Sequence, residues 1–534
     1  MTDMKNPKSE EQIKKIFGNI TKWLMEIYVL FYLCIYPLCI HEKYYDILTF
    51  RFSLFWMPTL VYGCIFLVLG VIYLICDTLY NKAANIKNFF INIKPTSTDI
   101  AFTILILIFT ISTVCAEYPY EAFWGDRGRN QGLLLWLMFY IAYILVTRFY
   151  KYKKWHLYAY MLFSSIVCIW GILNYFMISF GMFDGTDPLN AYKFVSSIGN
   201  INTYNGYTAI FYGVAAVAFM LATTKYENIF SFVILLIATI AHIMGKSDNA
   251  ILSTAAVWMV IPLFFIKNWS QVSKFFTVVL MFIASLKGIY LINGLGIPTM
   301  NDVNPSTIIA LGDKGIVTVL LVLVLLATAV AGYYGTKGRE MNDKVLKRLK
   351  KVWIALIAIG FISVITILVL ANKGVHPEIW EPYKNILIFN DEWGTFRGLN
   401  WRLAMEYWNN DATLFAKIFG YGPDTYYIIT MDRFFDLMYW NDYGYFDSVH
   451  NEYLEYMLTV GIAGLIAYIA FLSTAIKEML SGHENGGKMV AVGVLAYAVQ
   501  AVVNIAIAIT TPVLMVLMFV GVVAARIKSK SNNE

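Results

Sequence analysis

The chain is poor in charged residues. Asp, Glu, Lys and Arg make up only 14% of its 534 residues, while 59% are hydrophobic. Soluble domains carry about a quarter charged residues, so this composition excludes a water-soluble globular protein of this length. Apolar runs of about 16 to 25 residues, long enough to cross a bilayer, recur along nearly the whole chain. The composition therefore predicts an all-α polytopic membrane protein, because a membrane-crossing helix satisfies its own backbone hydrogen bonds.

Several motifs of soluble enzymes are also absent. The chain has no Walker A sequence, no Rossmann glycine pattern, no Asp-X-Asp pair and no Gly-X-Ser-X-Gly elbow. A soluble nucleotide-sugar is therefore disfavoured as a substrate. The six cysteines lie in or beside apolar runs, and no Cys and His residues have zinc-site spacing. We expect no metal, no cofactor and, since no soluble segment has a large basic face, no nucleic-acid partner.

Apolar runs are the most abundant feature of the chain. We predict fourteen spans, at residues 23–40, 53–76, 98–116, 132–147, 156–180, 206–223, 229–244, 250–266, 275–293, 315–335, 352–371, 453–474, 489–506 and 512–526. The division between 206–223 and 229–244 is the weakest. Lys and Arg concentrate in the linkers near 82–94, 148–154 and 337–351. By the positive-inside rule these linkers and both termini are cytoplasmic, in a multi-pass protein of the cytoplasmic membrane.

This topology divides the chain into three regions. Residues 1–371 form an N-terminal bundle of about eleven spans, and residues 453–534 form a C-terminal bundle of three spans. Between them, residues 372–452 form one large extracytoplasmic loop with short amphipathic helices. The loop is rich in Trp and Tyr, whose rings suit both a lipid headgroup layer and sugar stacking. It is the only soluble portion large enough to hold a site.

Residues 396–409 of this loop have the pattern of an amphipathic helix. At helical spacing, Arg397, Trp401, Met405 and Trp408 share a face, and Arg402 lies four residues before Glu406. An arginine at the N-terminal end of such a helix suits binding of a diphosphate. Contact with lipid headgroups is the alternative for Arg397.

Two further outward segments contain polar residues. Arg127 and Arg129 lie on a short loop, where the positive-inside bias disfavours them, so a diphosphate is the expected partner and a surface salt bridge the alternative. Asn200 and Asn202 lie at the outer end of a span in the sequence SSIGNINTYNG. They are candidate contacts for hydroxyl or phosphate groups of a substrate, although their position favours helix capping.

The most informative segment is DSVHNEYLEYMLTVGIAGL, in which His450 and Asn451 stand where the loop meets a span. His450 combines an outward position with two neighbouring acids, Asp447 and Glu452. A nearby carboxylate can orient an imidazole and raise its basicity, so His450 is the candidate general base.

The spacing in this segment resembles the signature of the O-antigen ligase and polymerase superfamily. That signature is His, then Asn, Ser or Gln, nine residues, Gly, two residues, and Gly, Thr or Tyr; His450, Asn451, Gly461 and Gly464 fill its positions. The preceding family pattern is an Arg, three residues, a Trp, an Ala-rich turn and Gly-X-Gly. The chain matches it with Arg397, Trp401, Ala404, Gly420 and Gly422.

Other segments resemble the family more loosely. Arg129 with Gly132 matches an Arg–Gly element, and residues 196–206 are similar to a Gly-Asn-Pro-Asn segment in which Ile201 replaces the proline. Relatives often carry Ser-Arg-Gly at the next outer turn, where this chain has Lys246-Ser247-Asp248. A lysine lacks the two-donor fork of arginine, so donor recognition at this turn departs from the family pattern.

The resemblance implies a metal-independent glycosyltransferase of cell-surface polysaccharide synthesis. Its donor would be an undecaprenyl-diphosphate-linked glycan and its acceptor a glycan or glycolipid hydroxyl. His450 would act as base and Arg397 would stabilise the leaving diphosphate, both as catalytic residues. Residues implied to bind substrate are Arg127, Arg129, Arg402, Trp401, Asn451, Asn200 and Asn202. A single displacement of this kind predicts inversion at the anomeric carbon.

Two other classes remain as alternatives. A lipid-linked-oligosaccharide flippase would suit fourteen spans, but it predicts a charged path within the spans, where few charged residues occur. A solute transporter predicts broken Gly/Pro helices in paired halves. Ligase and polymerase share the motifs above, so the sequence does not distinguish between them.

Overall fold

The computed structural model describes residues 7–81, 94–125, 129–182, 193–339, 341–441 and 443–527. These residues form α-helices almost throughout. Numbered in chain order, the helices are α1 Pro7–Leu30, α2 Ile47–Asn81, α3 Ser97–Val114, α4 Pro119–Trp124, α5 Leu133–Phe149, α6 Lys154–Tyr175, α7 Ile201–Leu221, α8 Lys225–Met244, α9 Asn249–Phe264, α10 Trp269–Asn293, α11 Met300–Val303, α12 Thr307–Ala310, α13 Gly315–Thr336, α14 Asp343–Asn372, α15 Pro377–Trp380, α16 Lys384–Leu387, α17 Trp393–Asn410, α18 Leu414–Phe419, α19 Tyr426–Trp440, α20 Glu452–Thr459, α21 Gly461–Ser481, α22 Asn485–Gln500 and α23 Thr511–Ala525.

Short elements complete the described chain. A π-helical turn, Phe31–Ile35, and a 3₁₀ turn, Tyr36–Leu38, extend α1. Further 3₁₀ turns are Leu311–Asp313, Glu381–Tyr383 and Ala501–Val503. Two-residue strands β1 (Phe194–Val195) and β2 (Gly199–Asn200) pair antiparallel just before α7, and Phe194 lies opposite Asn200.

Fourteen helices of the described chain are apolar. Eleven are long and apolar enough to cross a membrane, judged by length and composition: Lys14–Leu38, Ile47–Leu79, Ser97–Val114, Lys154–Tyr175, Ile201–Leu221, Lys225–Met244, Trp269–Asn293, Gly315–Thr336, Asp343–Asn372, Gly461–Ser481 and Asn485–Val503. Three shorter ones are α5, α9 and α23. Each predicted span overlaps one of these fourteen helices, and α7 and α8 separate at the division that was weakest. The prediction of an all-α polytopic membrane protein is confirmed.

The bundle has a densely packed centre and an apolar rim. At the centre, α7 packs closely on α22, because Gly213 and Gly493 lack side chains; a Cβ on Gly213 would come within 2.8 Å of the Gly493 Cα. At the rim, α14 exposes nearly all of its large apolar side chains. Such a surface is compatible with lipid and not with water.

The segment between α14 and α20 folds into the short helices α15 to α19. It has a small hydrophobic core of its own, with Leu399, Leu403, Tyr426, Phe434 and Val449 among its buried residues. In α17 the buried positions are offset from the face that contains Trp401 and Met405, and Met405 is exposed. The loop is thus a packed unit in which Trp401 and Trp408 pack against the core and only Met405 of that face is exposed.

Candidate functional site

The predicted signature forms a helix start at the edge of the loop. Asn451 is the N-cap of α20, and its Oδ1 accepts hydrogen bonds from the backbone N–H groups of Tyr453 and Leu454, both at 3.1 Å. His450, directly before the cap, has a left-handed backbone with φ of 56°. The signature therefore places His450 at the last position of the loop, directly before a capped helix.

The glycines of the signature have a steric role. The predicted span 453–474 is not continuous: α20 ends at Thr459 and α21 begins at Gly461, whose φ is 77°. A Cβ on Gly461 would overlap the carbonyl oxygen of Ile418, in α18. The break arises because α18 crosses the α20–α21 junction at backbone contact distance.

Gly420, from the Gly-X-Gly element, makes the reciprocal contact. A Cβ at this position would overlap the carbonyl oxygen of Thr459. That oxygen accepts hydrogen bonds from the N–H groups of Tyr421 (3.0 Å) and Gly422 (2.9 Å). The two glycine-containing motifs, about forty residues apart in sequence, therefore interlock through backbone atoms, and this explains why both need glycine.

The Arg129 loop is wrapped around a carboxylate. Asp424 follows the Gly-X-Gly element, and its carboxylate accepts hydrogen bonds from the N–H groups of Arg129 (3.0 and 2.8 Å) and Gln131 (2.9 Å). A Cβ on Gly125 would lie 2.5 Å from the same carboxylate. Burial raises the pKa of Asp424 to about 7, while the two N–H groups oppose that shift. Asp424 thus joins the loop near α4 to the large loop.

The guanidinium of Arg129 points towards the His450 segment. Its Nη2 lies 2.7 Å from Oδ1 of Asp447, three residues before His450. Both side chains are partly exposed, 27% and 36% respectively. The predicted salt-bridge alternative for this arginine is thus present, in a position that an incoming anion can compete for. Arg127 lies outside the described residues.

Arg397 lies at the start of the regular part of α17. Three left-handed residues, Gly394 to Phe396, precede it. Its Nε donates to the carbonyl oxygen of Val503 at 3.0 Å, and its Nη1 donates to that of Gly394 at 2.5 Å. Burial lowers the pKa of Arg397 and the charge of Asp248 opposes this shift. The guanidinium is therefore held by two backbone carbonyls, one in the 3₁₀ turn that follows α22 and one in the left-handed start of α17.

Asn200 and Asn202 lie at the start of α7, beside the segment that holds Arg397. Asn200 caps α7, with its Oδ1 accepting from the N–H of Asn202 at 2.8 Å, so the capping alternative is confirmed for Asn200. Asn202 Oδ1 accepts from the Ser247 hydroxyl at 2.7 Å, and its carbonyl accepts from Asn504 at 3.0 Å. Because Asn504 follows the Val503 carbonyl that holds Arg397, the Asn202 and Arg397 segments adjoin.

The turn Lys246-Ser247-Asp248 lies beside Asn202. Lys246 is buried, with a left-handed backbone, and its Nζ donates to the carbonyl oxygen of Met300 at 2.6 Å. Burial lowers the pKa of Lys246 to about 8, against the opposing charge of Asp302. Lys246 is therefore engaged with the α11 segment, while the neighbouring Asp248 acts on Arg397.

Trp401 and Arg402 have other partners. Arg402 forms a two-point ion pair with Asp391 (2.8 and 2.7 Å) and a longer contact with Glu406 (3.4 Å), as its spacing to Glu406 predicts. Trp401 packs in an aromatic cluster with Phe389 and Trp393. These contacts stabilise the loop, and they do not include His450.

The imidazole of His450 is oriented by backbone and not by the expected carboxylates. Its Nδ1 lies 3.1 Å from the carbonyl oxygen of Ser448, which can only accept, so Nδ1 is the protonated nitrogen and Nε2 has the lone pair. Glu452 is buried and instead accepts from the hydroxyls of Tyr468 and Tyr497. The expectation that Glu452 orients the ring is therefore wrong, because Glu452 points into the bundle.

Three charged side chains act on the His450 imidazole. Burial, followed by the positive charges of Arg397 and Arg129, lowers the pKa of His450 to about 4, and Asp447 opposes this effect. His450 is therefore neutral at pH 7, and the expectation that a neighbouring carboxylate raises its basicity is wrong, because burial and the two arginines outweigh Asp447. Two guanidinium groups from distant segments both act on one imidazole, which is an arrangement suited to a substrate with negative charge beside a reacting hydroxyl.

Left-handed, non-glycine residues concentrate around this site. They include Asn130, Lys246, Thr395, Phe396, Asp424 and His450. Such conformations cost of order 1–3 kcal/mol each and persist where the surroundings impose them, commonly at functional sites.

Sequence reasoning missed three residues that build the site: Asp424, Glu455 and Asn504. Asp424 could have been suspected from its place two residues after the Gly-X-Gly element. Glu455 could have been suspected as an acid one turn into an apolar helix. Asn504 has no comparable signal, because its role depends on α22 meeting α7.

One group in the described part of the chain has the spacing of metal ligands. His41, Glu42 and Asp46 lie on the turn between α1 and α2. His41 Nδ1 lies 2.5 Å from Asp46 Oδ2, which is an ion pair in itself. None of these residues contacts the groups around His450 described above.

Comparison with models of known protein families gives no match to the chain, and comparison with curated proteins gives none either. The likeness to the O-antigen ligase and polymerase superfamily therefore rests on the motif residues and their spacing in the sequence.

Proposed function

We propose that the protein is a membrane glycosyltransferase of cell-surface polysaccharide synthesis, such as capsule synthesis. It moves a glycan from an undecaprenyl-diphosphate-linked donor to the hydroxyl of a glycan or glycolipid acceptor, as a ligase or a polymerase. The reaction takes place at the outer face of the cytoplasmic membrane, with residues 372–452 extracytoplasmic. This orientation rests on the Lys and Arg asymmetry of the linkers.

The observation that best supports this function is the convergence of two arginines on one neutral histidine. Arg129 and Arg397 come from segments more than 260 residues apart, and the charges of both act on His450. A diphosphate leaving group needs positive charge, and an acceptor hydroxyl needs a base. This site offers both without a nucleotide-binding motif.

The chemistry is a single displacement at the anomeric carbon. The acceptor oxygen forms the new bond to that carbon while its proton passes to Nε2 of His450. The bond from the anomeric carbon to the phosphate oxygen breaks, and its electron pair leaves with the undecaprenyl diphosphate. Arg397 and Arg129 stabilise the charge that develops there, and the configuration inverts.

The test is transfer by purified protein, with undecaprenyl-diphosphate-linked repeat units extracted from the source cells as donor and acceptor. His450→Ala is expected to reduce the transfer rate about 10²–10⁴-fold, because a positioned base contributes that much. The matched control is His376→Ala. His376 lies on the same loop, is 71% exposed and pairs only with nearby Glu378 (3.2 Å), so its removal leaves transfer unchanged.

A His450→Ala protein that transfers glycan at the wild-type rate contradicts the base assignment. Normal translocation of lipid-linked units by that variant, with no transfer by the wild type, favours the flippase alternative. A flippase needs no base at the mouth of a helix.

A further inference from the structure

We propose that Glu455 is a positioning residue for His450: the carboxyl group of Glu455 clamps Ser448 and Val449 and so aims the imidazole at the acceptor hydroxyl. The inference rests on the proposed function only in taking an acceptor hydroxyl as the target of the imidazole. The clamp itself is a property of the fold. Glu455 lies one turn into α20, on the same helix that Asn451 caps.

The clamp is a connected set of hydrogen bonds. Glu455 Oε2 accepts from the N–H of Val449 at 2.7 Å and from the Ser448 hydroxyl at 3.2 Å. The Ser448 oxygen in turn accepts from the N–H of His450 at 3.1 Å, and the Ser448 carbonyl accepts from the ring Nδ1 at 3.1 Å. Both of these hydrogen bonds of His450 therefore go to Ser448, which Glu455 holds.

The backbone conformation of His450 explains why a clamp is needed. A left-handed φ of 56° is unfavourable for a residue with a side chain. The Val449 N–H and the Ser448 hydroxyl both donate to one buried carboxyl oxygen of Glu455, and such bonds are lost at a cost when their acceptor is removed. They can hold three consecutive residues in a geometry that the free chain would leave.

Glu455 also connects the clamp to the Arg129 loop. With Arg129, Asp424 and Ser448 it lines a cavity of about 20 Å³, which has room for one water molecule. Asp424 holds the backbone of Arg129 in the way that Glu455 holds Val449. The carboxyl groups of Asp424, in the large loop, and Glu455, in α20, thus hold the Arg129 segment and the Ser448 segment beside one cavity.

The test follows His450 directly by carbethoxylation with diethyl pyrocarbonate, which acylates the unprotonated imidazole. The pH of half-maximal modification is read by mass spectrometry of the peptide that contains His450. For wild-type protein we expect a midpoint near pH 4. Glu455→Leu releases the clamp and exposes the ring, so its midpoint moves at least one unit towards the ordinary value of about 6.5.

Glu455→Gln separates hydrogen bonding from charge. The glutamine oxygen can accept the same two hydrogen bonds, so this variant keeps the wild-type midpoint and a transfer rate within about threefold, whereas Glu455→Leu loses about 10² in turnover with little change in KM. Ser448→Ala removes the hydroxyl from the clamp, so we expect its modification midpoint to lie between those of the wild type and Glu455→Leu. This variant also tests the clamp if Glu455→Leu fails to fold. Glu452→Gln is the matched control, since Glu452 is on the same helix but bonds to tyrosines; its midpoint stays at the wild-type value even if its stability falls.

Two results would overturn the proposal: an unchanged His450 midpoint in both Glu455→Leu and Ser448→Ala, or a Gln variant that behaves like the Leu variant. The modification readout does not depend on transfer. A shifted midpoint in Glu455→Leu together with full transfer activity in His450→Ala would therefore refute the proposed role of the base and leave the clamp intact.

Discussion

The interlock between the two glycine motifs allows a stability change to be worked out from structure. Gly420 has φ of 79° and ψ of −167°, a region that is essentially restricted to glycine. An alanine there costs about 1–3 kcal/mol in backbone strain. Its Cβ would also overlap the Thr459 oxygen and break the bonds from Tyr421 and Gly422, at about 1 kcal/mol each. Gly420→Ala is therefore expected to destabilise this contact by about 3–5 kcal/mol, a large part of a typical total of about 5–15 kcal/mol.

Hydrogen exchange at the Tyr421 and Gly422 amides measures this effect locally, in detergent or nanodiscs. A loss of about 3 kcal/mol lowers their protection about a hundredfold. The matched control is Gly444→Ala in the same loop, where φ is 74° but no atom lies within 4 Å of the added methyl. It pays only the backbone cost of about 1–2 kcal/mol and leaves the two amides protected. If the protection of these two amides in Gly420→Ala stayed within threefold of the wild-type value, the steric requirement for glycine at this position would be refuted.

Three further predictions concern the site and its orientation. Arg397→Lys loses the fork that bonds to the Val503 and Gly394 carbonyls, so turnover should fall roughly tenfold or more at normal membrane levels; Arg433→Lys, an exposed arginine paired with Asp411, is the control, and equal turnover in both variants would remove Arg397 from the site. In a cysteine-free background, an impermeant maleimide should label Asn441→Cys in intact cells and Ser481→Cys only after permeabilisation, and the reverse pattern would overturn the topology. Because the pKa of His450 is lowered, the base is active above about pH 4, so the acid limb of kcat/KM lies near pH 4 and that of kcat lies higher, since a bound diphosphate offsets the arginine charges; an acid limb of kcat/KM near the ordinary 6.5 would refute this environment for His450.

The membrane helices show what short-range patterns can predict. Each predicted span overlaps an apolar helix of the structure, because the length and composition of an apolar run are local properties. The break at Gly461 was not predicted. It depends on the approach of α18 to the α20–α21 junction, a contact that local periodicity does not encode.

The site residues divide in the same way. Motif spacing identified His450, Asn451, Arg397 and Arg129, and the Asn451 cap and the Arg402–Glu406 pair follow from local spacing. The prediction that Glu452 orients the His450 ring was wrong. The acid points into the bundle towards Tyr468 and Tyr497, and only the packing of α20 against α21 and α22 determines that direction.

The sequence by itself determined that the chain is a polytopic helical membrane protein, and it marked the residues around which a site could form. Only the tertiary structure decided how they meet: Asp424 reaches Arg129 across 295 residues, Asp447 reaches the same side chain across 318, and Asn504 reaches Asn202 across 302. The physical reason is that helix formation and apolar burial depend on neighbours along the chain. The position of a guanidinium or an imidazole depends instead on which backbones can approach closely, and here that is set by glycines and carboxylates on separate segments.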